Sequence, residues 1–121
     1  MELRKRVYVA GPLTNGMSNI RLFNVWRNIL RAAAVGLRLL NLGYAPLVPH
    51  LTAWIPGAMK ASYEAWLETD FSWIYVADGL LRLPGTSSGA DREVVFANEH
   101  GIPVFHSVEE LQAHVWETRA A

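Results

Sequence analysis

The order of apolar and polar positions along the chain predicts alternating strands and helices. Residues 7–10 form a short β-prone run that ends at Gly11, as expected of a buried parallel strand before a glycine-containing loop. Apolar residues then recur at helical spacing over residues 20–37, and Gly43 stands where a left-handed C-cap is expected. This part of the chain therefore predicts a first strand, a polar loop in which Asn19 is a plausible N-cap, and a long first helix.

The remainder of the chain continues this alternation. Residues 44–49 predict a second strand, and their two prolines favour an edge position in a sheet or an early end to the strand. The other predicted elements are a helix at about 62–77, a strand at 80–83, a helix at about 90–100, a strand at 102–105, and a final helix whose capping box begins at Ser107.

Strands that alternate with helices predict one α/β domain, a flavodoxin-like or Rossmann-like open parallel sheet of about four to five strands with helices on both faces. If the strand order is 2-1-3-4, the sheet reverses direction between strands 1 and 3, where ligands of open α/β sheets bind. The loops beyond these two strands, residues 11–19 and 84–89, are rich in Gly, Ser, Thr and Asn. Such residues allow close approach of the backbone to a sugar or phosphate and offer hydrogen bonds.

Composition and charge exclude several classes of function. Eleven basic and eleven acidic residues cancel, so no net field attracts a nucleic-acid polymer or an anionic lipid surface. The chain has no cysteine, and nothing in it implies a metal or a cofactor. No stretch approaches the ~20 apolar residues needed to cross a bilayer, and the N-terminus lacks a signal-peptide core, which predicts a cytoplasmic protein. The hydrophobic fraction of 51% suggests that some apolar surface is hidden in a subunit interface.

Glu93 is the first candidate for chemistry. It is predicted in about the first turn of the third helix, directly after the Gly-rich loop at the switch point. There the helix dipole and free N–H groups favour an ionised carboxylate, the state that a nucleophile needs. The alternative is that Glu93 and Asp91 only complement the dipole at a helix start.

Asp70 is the second candidate, because it stands on the apolar stripe of the second predicted helix with Tyr63, Trp66, Leu67 and Ile74. A carboxylate that points toward the core is costly unless it is paired, hydrogen-bonded or exposed in a cleft. Asp70 is therefore either a structural acid or an active-site acid whose pKa partial desolvation raises. Two carboxyls in unlike environments are what glycoside cleavage requires.

Several other side chains have both a structural and a functional interpretation. Tyr8 is either a packed core aromatic or a phenol that reaches the carboxyl pair. Ser87 and Ser88 are either loop and N-cap residues or, with Gly89, part of a phosphate cradle that opens a helix.

Surface roles are expected for His50 in its proline-flanked loop and for Arg21 and Arg92 near helix starts, with contact to an anionic substrate as the alternative. Four tryptophans are expected in the core or in an interface, although one of them could flank a nucleobase: Trp26, Trp54, Trp66 and Trp73.

Four short motifs in this order resemble the nucleoside 2-deoxyribosyltransferase superfamily over nearly the whole chain. They are YVAGP at 8–12 with the polar loop to Asn19, GY at 43–44, DFSWIYVAD at 70–78 and SSGADREVVFA at 87–97. The sequence looks closest to a small phage and bacterial branch of unknown function, and beyond it to the deoxynucleoside 5′-monophosphate N-glycosidases. Residues 1–121 are thereby identified as one nucleoside 2-deoxyribosyltransferase-like domain.

The resemblance implies an N-glycosidase or 2-deoxyribosyltransferase that acts on a (deoxy)nucleoside or nucleoside 5′-monophosphate. Glu93 matches the nucleophile at the sugar C1′, Asp70 matches the acid that assists at the sugar and base, and Tyr8 matches the tyrosine that hydrogen-bonds the nucleophile. Ser87 matches a serine that contacts the 5′-phosphate in the nucleotide hydrolases. The predicted substrate-binding residues are Gly11, Pro12, Asn19, Ser87, Ser88 and Gly89.

The resemblance also implies a homodimer or a larger homo-oligomer. The sequence departs from the nucleotide hydrolases after strand 1, where it reads GPLTNG at 11–16 in place of a Gly-Ser-Ile-Arg-Gly-Gly-like segment. Two other functions stay open: a module that binds a nucleotide or nucleotide-derived signal without chemistry, which would not need Glu93, and a purely structural partner protein.

Overall fold

A computed structural model shows a parallel β-sheet with helices on both faces and describes residues 1–13 and 22–117. The strands of this sheet are β1 (Arg6–Ala10), β2 (Ala45–Leu47), β3 (Gly79–Arg82) and β4 (Val104–Phe105). The α-helices within the same residues are α1 (Leu22–Asn41), α2 (Tyr63–Tyr75), α3 (Ser88–Glu99) and α4 (Val108–Ala113). Two 3₁₀ segments, Pro49–Trp54 and Ala58–Lys60, lie between β2 and α2.

The strand order is β2-β1-β3-β4 with every pair parallel, which confirms the predicted fold class and the 2-1-3-4 order. Alternate residues of β1 face opposite layers of the core, as the period of a strand requires. Val7 and Val9 pack with α1 and α4, whereas Tyr8 and Ala10 pack with α2 and α3. The Tyr8 side chain therefore projects toward the layer that carries both candidate acids.

The first crossover follows the prediction where it is described. Gly43 adopts φ +96°, the left-handed conformation expected after the last turn of α1. β2 lies at the edge of the sheet, as its prolines indicate, and it is only three residues long. The proposed N-cap Asn19 lies outside the described residues. None of the described helices combines the length and the apolar character needed to span a membrane.

Other boundaries shift for local reasons. α3 begins at Ser88 rather than at 90, because the Ser87 hydroxyl accepts a hydrogen bond from the Ala90 N–H and so serves as the N-cap. At α4, Ser107 accepts from the Glu110 N–H as predicted, but the Glu110 carboxylate accepts from the backbone N–H of His106 rather than of Ser107. Only one half of the predicted capping box is therefore formed.

Candidate active site

A cavity of about 570 Å³ lies at the carboxyl end of the sheet, between the loops that follow β1 and β3. This is the switch point between β1 and β3, and the volume falls in the usual range of small-molecule sites. Gly11 lines the cavity beyond β1 and His50 lines it beyond β2. Asp70 of α2 and Glu93 of α3 form the acidic part of its wall.

Glu93 lies in the second turn of α3, not in the first, because the helix begins two residues earlier than predicted. Ala90, Glu93 and Ala97 are the buried residues of this helix and recur at helical spacing. Glu93 itself is only 6% exposed. The phenol of the fully buried Tyr8 donates a hydrogen bond to Glu93 Oε2.

Asp70 completes a cluster with these two residues. It is partly exposed on the cavity wall and interacts with both Tyr8 and Glu93. The cluster draws one side chain from β1, one from α2 and one from α3, and α2 packs directly against α3. The structure therefore brings together the three residues predicted to be catalytic.

The two carboxyls have unlike pKa values because they are buried to different degrees. Burial raises the pKa of Glu93 to about 8, and the negative charge of Asp70 adds to the rise, while the Tyr8 hydrogen bond and the positive charge of Arg82 oppose it. Burial raises the pKa of Asp70 to about 6, against hydrogen bonds with Tyr8 and Glu93. Near neutral pH the pair therefore holds a single proton.

This result corrects the expectation that the start of a helix keeps Glu93 ionised. The effect of the dipole is confined to the first turn, and removal of a carboxylate from water has the larger effect at this depth. Burial, followed by the charges of Glu93 and Asp70, raises the pKa of Tyr8 well above its ordinary value. Tyr8 consequently remains a neutral donor at physiological pH.

The loop before α3 supplies the other predicted contacts. Ser87, Ser88 and Gly89 all line the cavity. Ser87 also caps α3, so the structural interpretation of this residue is confirmed, and its hydroxyl proton is still available to donate. Gly89 approaches α2 closely, since a Cβ there would lie 3.3 Å from the Tyr63 hydroxyl.

The three substrate-binding residues predicted after β1 have three different positions. Gly11 lines the cavity, whereas Asn19 lies outside the described residues. Pro12 is buried and is not brought to the cavity; it packs against the turn at Gly85, where a Cβ would lie 2.7 Å from Pro12 Cγ. Pro12 therefore supports the neighbouring loop and does not form part of the wall.

Gly85→Ala is expected to lower the free energy of unfolding by about 1–3 kcal/mol, because Gly85 has φ +118° and an added Cβ would also strike Pro12. Gly57→Ala is the matched control: Gly57 has φ +81° but open space around its Cβ position. Urea unfolding of both variants measures the difference. Equal losses would show that the contact between Gly85 and Pro12 contributes nothing.

His50 is a functional candidate that the sequence analysis placed wrongly at the surface. It is 4% exposed, and its Nε2 lies 3.1 Å from the carbonyl oxygen of Gly11, which makes Nε2–H the donor. Burial lowers the pKa of His50, so the ring is neutral at physiological pH. Its Nδ1 is buried without a hydrogen-bond partner among the described residues. The predicted strand order could have indicated this burial, because neighbouring parallel strands β2 and β1 place the residues that follow β2, including His50, beside the loop that follows β1.

Arg82 also escaped the sequence analysis. Its side chain is 10% exposed, donates to the carbonyl oxygen of Gly85 at 2.9 Å and pairs with Asp91 at 3.1 Å. It fixes the turn before α3 and places a positive charge where it favours ionised Glu93. No pattern of period or spacing marks an arginine at the end of a strand for this role.

The remaining candidates of the sequence analysis are two arginines and four tryptophans, and they differ in exposure. Arg92 pairs with Glu64 at 2.9 Å on the surface, which confirms its surface role, and Arg21 lies outside the described residues. Trp66 lines the cavity and its Nε1–H donates to the Ala58 carbonyl oxygen at 2.7 Å. The side chain of Trp54 is outside the described set. Trp26 and Trp73 are 45% and 55% exposed, so neither is a core residue of the single chain.

Comparison with solved structures gives a match to a 2-desoxiribosyltransferase from Leishmania mexicana, with a TM-score of 0.56 and 16% sequence identity. The match covers 83% of this chain, and the chain spans 61% of that protein. Likeness at this identity shows that the two share a fold. No protein-family model and no curated protein matches the sequence.

Proposed function

We propose that the protein cleaves or transfers the N-glycosidic bond of a (deoxy)nucleoside or nucleoside 5′-monophosphate, with Glu93 as the nucleophile. The observation that carries this proposal is the meeting of Glu93 and Asp70, two carboxyls with different pKa values, at one cavity beyond the switch point. Glycoside cleavage uses two such carboxyls, one at the anomeric carbon and one at the leaving group. The fold shared with a 2-desoxiribosyltransferase agrees with this chemistry.

In the first step, a Glu93 oxygen bonds to C1′ while the bond from C1′ to the base nitrogen breaks. Because Glu93 has the higher pKa, the shared proton lies mainly on Glu93 at rest, and the reactive state is the minor form in which Asp70 holds it. From Asp70 the proton passes to the departing base, which leaves neutral. In the second step, water or another base bonds to C1′ and displaces Glu93. The proton released by that water or base returns to Asp70, which restores the reactive form of the pair.

Tyr8 positions the nucleophile in this scheme. Its phenol donates to Oε2 of Glu93 and so restricts the orientation of the carboxyl beside the cavity. The Arg82 charge and the Tyr8 hydrogen bond both favour the ionised carboxylate that burial disfavours. They therefore oppose the effect of burial and increase the fraction of Glu93 that is ionised.

The rest of the cavity provides surfaces for the sugar, the phosphate and the base. Ser87, Ser88 and Gly89 open α3, where hydroxyls and free backbone N–H groups suit a sugar oxygen or a 5′-phosphate. Trp66 and Leu67 contribute apolar wall on the α2 side, which suits the faces of a nucleobase.

The proposal is tested by incubating the protein with a panel of ribonucleosides, 2-deoxyribonucleosides and the 5′-monophosphates of both. We expect chromatography to detect free base from at least one compound. A labelled second base in the same mixture separates transfer, which incorporates the label, from hydrolysis, which does not. If no compound in the panel yields base, yet one of them raises the melting temperature, the cavity is a binding module and the catalytic proposal is wrong.

A further inference from the structure

Arg82 is the charged side chain that β3 contributes to the layer of the candidate acids. It lies opposite Ala10 in the parallel pairing of β1 and β3. Because side chains alternate along a strand, Arg82 projects to the same face as Leu80, which packs with α2 and α3. The ion pair of Arg82 with Asp91 of α3 confirms this direction. The guanidinium therefore lies on the side of the sheet that carries Glu93.

Three contacts hold this guanidinium in place. Nη1 donates to the carbonyl oxygen of Leu83, and Nη2 donates to the carbonyl oxygen of Gly85 at 2.9 Å and to Asp91 Oδ1 at 3.1 Å. The side chain of Arg82 is 10% exposed, whereas that of Asp91 is 72% exposed. Solvent screens an exposed charge more than a buried one, so Asp91 cancels only part of the positive charge of Arg82.

Glu93 is faced by a titratable or charged group from three of the elements that pack against α3. Tyr8 of β1 and Asp70 of α2 interact with its carboxyl directly, and Arg82 of β3 acts through its charge. The fourth such element, β4, contains only apolar residues. Two further charged residues of α3 flank Glu93 in sequence: Asp91 and Arg92. Arg82 is therefore the cation that acts on Glu93 from inside the fold.

The charge of Arg82 does not act equally on the two acids. Burial raises the pKa of both carboxyls, and at Glu93 the Tyr8 hydrogen bond and the Arg82 charge oppose the rise. At Asp70 the opposing effects are its hydrogen bonds with Tyr8 and Glu93. A positive charge that acts mainly on Glu93 favours the form of the pair in which Glu93 is ionised and Asp70 holds the proton.

We propose that Arg82 is a positioning residue whose buried charge moves the shared proton from Glu93 toward Asp70, and that Asp91 limits this effect by partly neutralising that charge. The ion pair at the start of α3 thereby sets the fraction of molecules that are ready to react. This consequence for the rate rests on the proposed function, in which Glu93 is the nucleophile. The effect on the proton itself needs no substrate and is measured separately.

Three substitutions separate the charge of Arg82 from its hydrogen bonds. Arg82→Gln removes the charge, whereas Arg82→Lys keeps the charge but loses the planar fork that reaches two carbonyl oxygens and Asp91. If Arg82 served only to fix the turn, these two variants would behave alike. Asp91→Asn removes the negative charge, and its amide oxygen still accepts from Arg82. It therefore tests the proposal even if Arg82→Gln does not fold.

Carbon NMR of protein labelled at the glutamate carboxyl carbon tests the proposal without substrate. The signal of Glu93 is the one that disappears in Glu93→Gln. We expect its titration midpoint to rise by about 0.5–1 pH unit in Arg82→Gln, to fall by a smaller amount in Asp91→Asn, and to stay near the wild-type value in Arg82→Lys. Arg92→Gln is the matched control. It removes the same charge from the position next to Glu93, but Arg92 pairs with Glu64 at the surface, so the midpoint should not move.

The kinetic consequence follows from the size of the reactive fraction. Arg82→Gln should lower the plateau of kcat/KM by about 3–10-fold and move the alkaline limb upward, and Asp91→Asn should move that limb downward. An unmoved Glu93 midpoint in Arg82→Gln, a raised one in Asp91→Asn, or an equal shift in Arg92→Gln would overturn the proposal. Midpoints that move as expected in a protein that releases no base would support the role of Arg82 and overturn the proposed function.

Discussion

Glu93→Gln is expected to lower kcat for release of base by about 10³-fold or more, because an amide oxygen does not form the bond to C1′ that a carboxylate forms. The substitution preserves the volume of the side chain and an oxygen that accepts from the Tyr8 phenol. Substrate affinity should therefore change much less than kcat. Steady-state kinetics on the best compound of the panel measure both quantities.

The loss would not come from unfolding. The pKa of Glu93 is higher in the folded chain than in the unfolded chain, so the folded chain holds this proton more tightly. The stability that this contributes is fully present below the ordinary pKa of a glutamate and is lost as the pH rises from there through about 8. Glutamine has no proton to lose, so Glu93→Gln should be at least as stable as the wild type at pH 8. Glu99→Gln removes an exposed acid at the end of the same helix and should retain full activity. Equal activity of Glu93→Gln and wild type would remove Glu93 from the mechanism.

Asp70→Asn is expected to lower kcat by about 10²–10⁴-fold when the leaving base must take up a proton. A nucleoside of a 7-methylated purine carries a positive charge on its base, so that base leaves neutral without protonation. For such a substrate the loss should shrink to about 10-fold or less, because general acid catalysis has nothing to contribute. Equal losses on both substrates would assign Asp70 to binding rather than to proton transfer.

The pH dependence gives a second measure of the same role. Wild-type kcat/KM should be bell-shaped, since activity requires one proton on the pair. It should fall below about 6, where both carboxyls are protonated, and above about 8, where both are ionised. In Asp70→Asn the alkaline fall should disappear, and the residual activity should rise with pH as Glu93 loses its proton. A profile with the same alkaline limb in both proteins would contradict this assignment.

Much of the fold was accessible from the sequence because local patterns determined it. Short apolar runs that end in loops gave the strands, and Gly43 marked the end of α1 through a backbone conformation that glycine adopts readily. The position of Asp70 on an apolar helical face was a visible conflict between polarity and burial, and such conflicts occur at functional sites. The cluster with Tyr8 and Glu93 resolves that conflict.

The features that were missed depend on tertiary neighbours. His50 is buried because the end of β2 lies beside the loop after β1, and no local pattern distinguishes it from a surface histidine. The raised pKa of Glu93 follows from its burial in the folded chain and from the charge of Asp70, a residue more than twenty positions away. For α1, periodicity identified the helix but did not separate Ile29, which is buried, from Leu30 and Leu37, which are exposed.

Covalent trapping tests the central claim most directly. A fluorine at C2′ of the best substrate from the panel destabilises the positive charge that develops at C1′ and so slows both steps, and an intermediate accumulates when its breakdown is the slower of the two. We predict that mass spectrometry of the treated protein will show a gain equal to the fluorinated glycosyl group, which is the fluorinated sugar less one water, and that peptide mapping will place it on Glu93. Release of base with no adduct, or an adduct on any other side chain, would contradict the account.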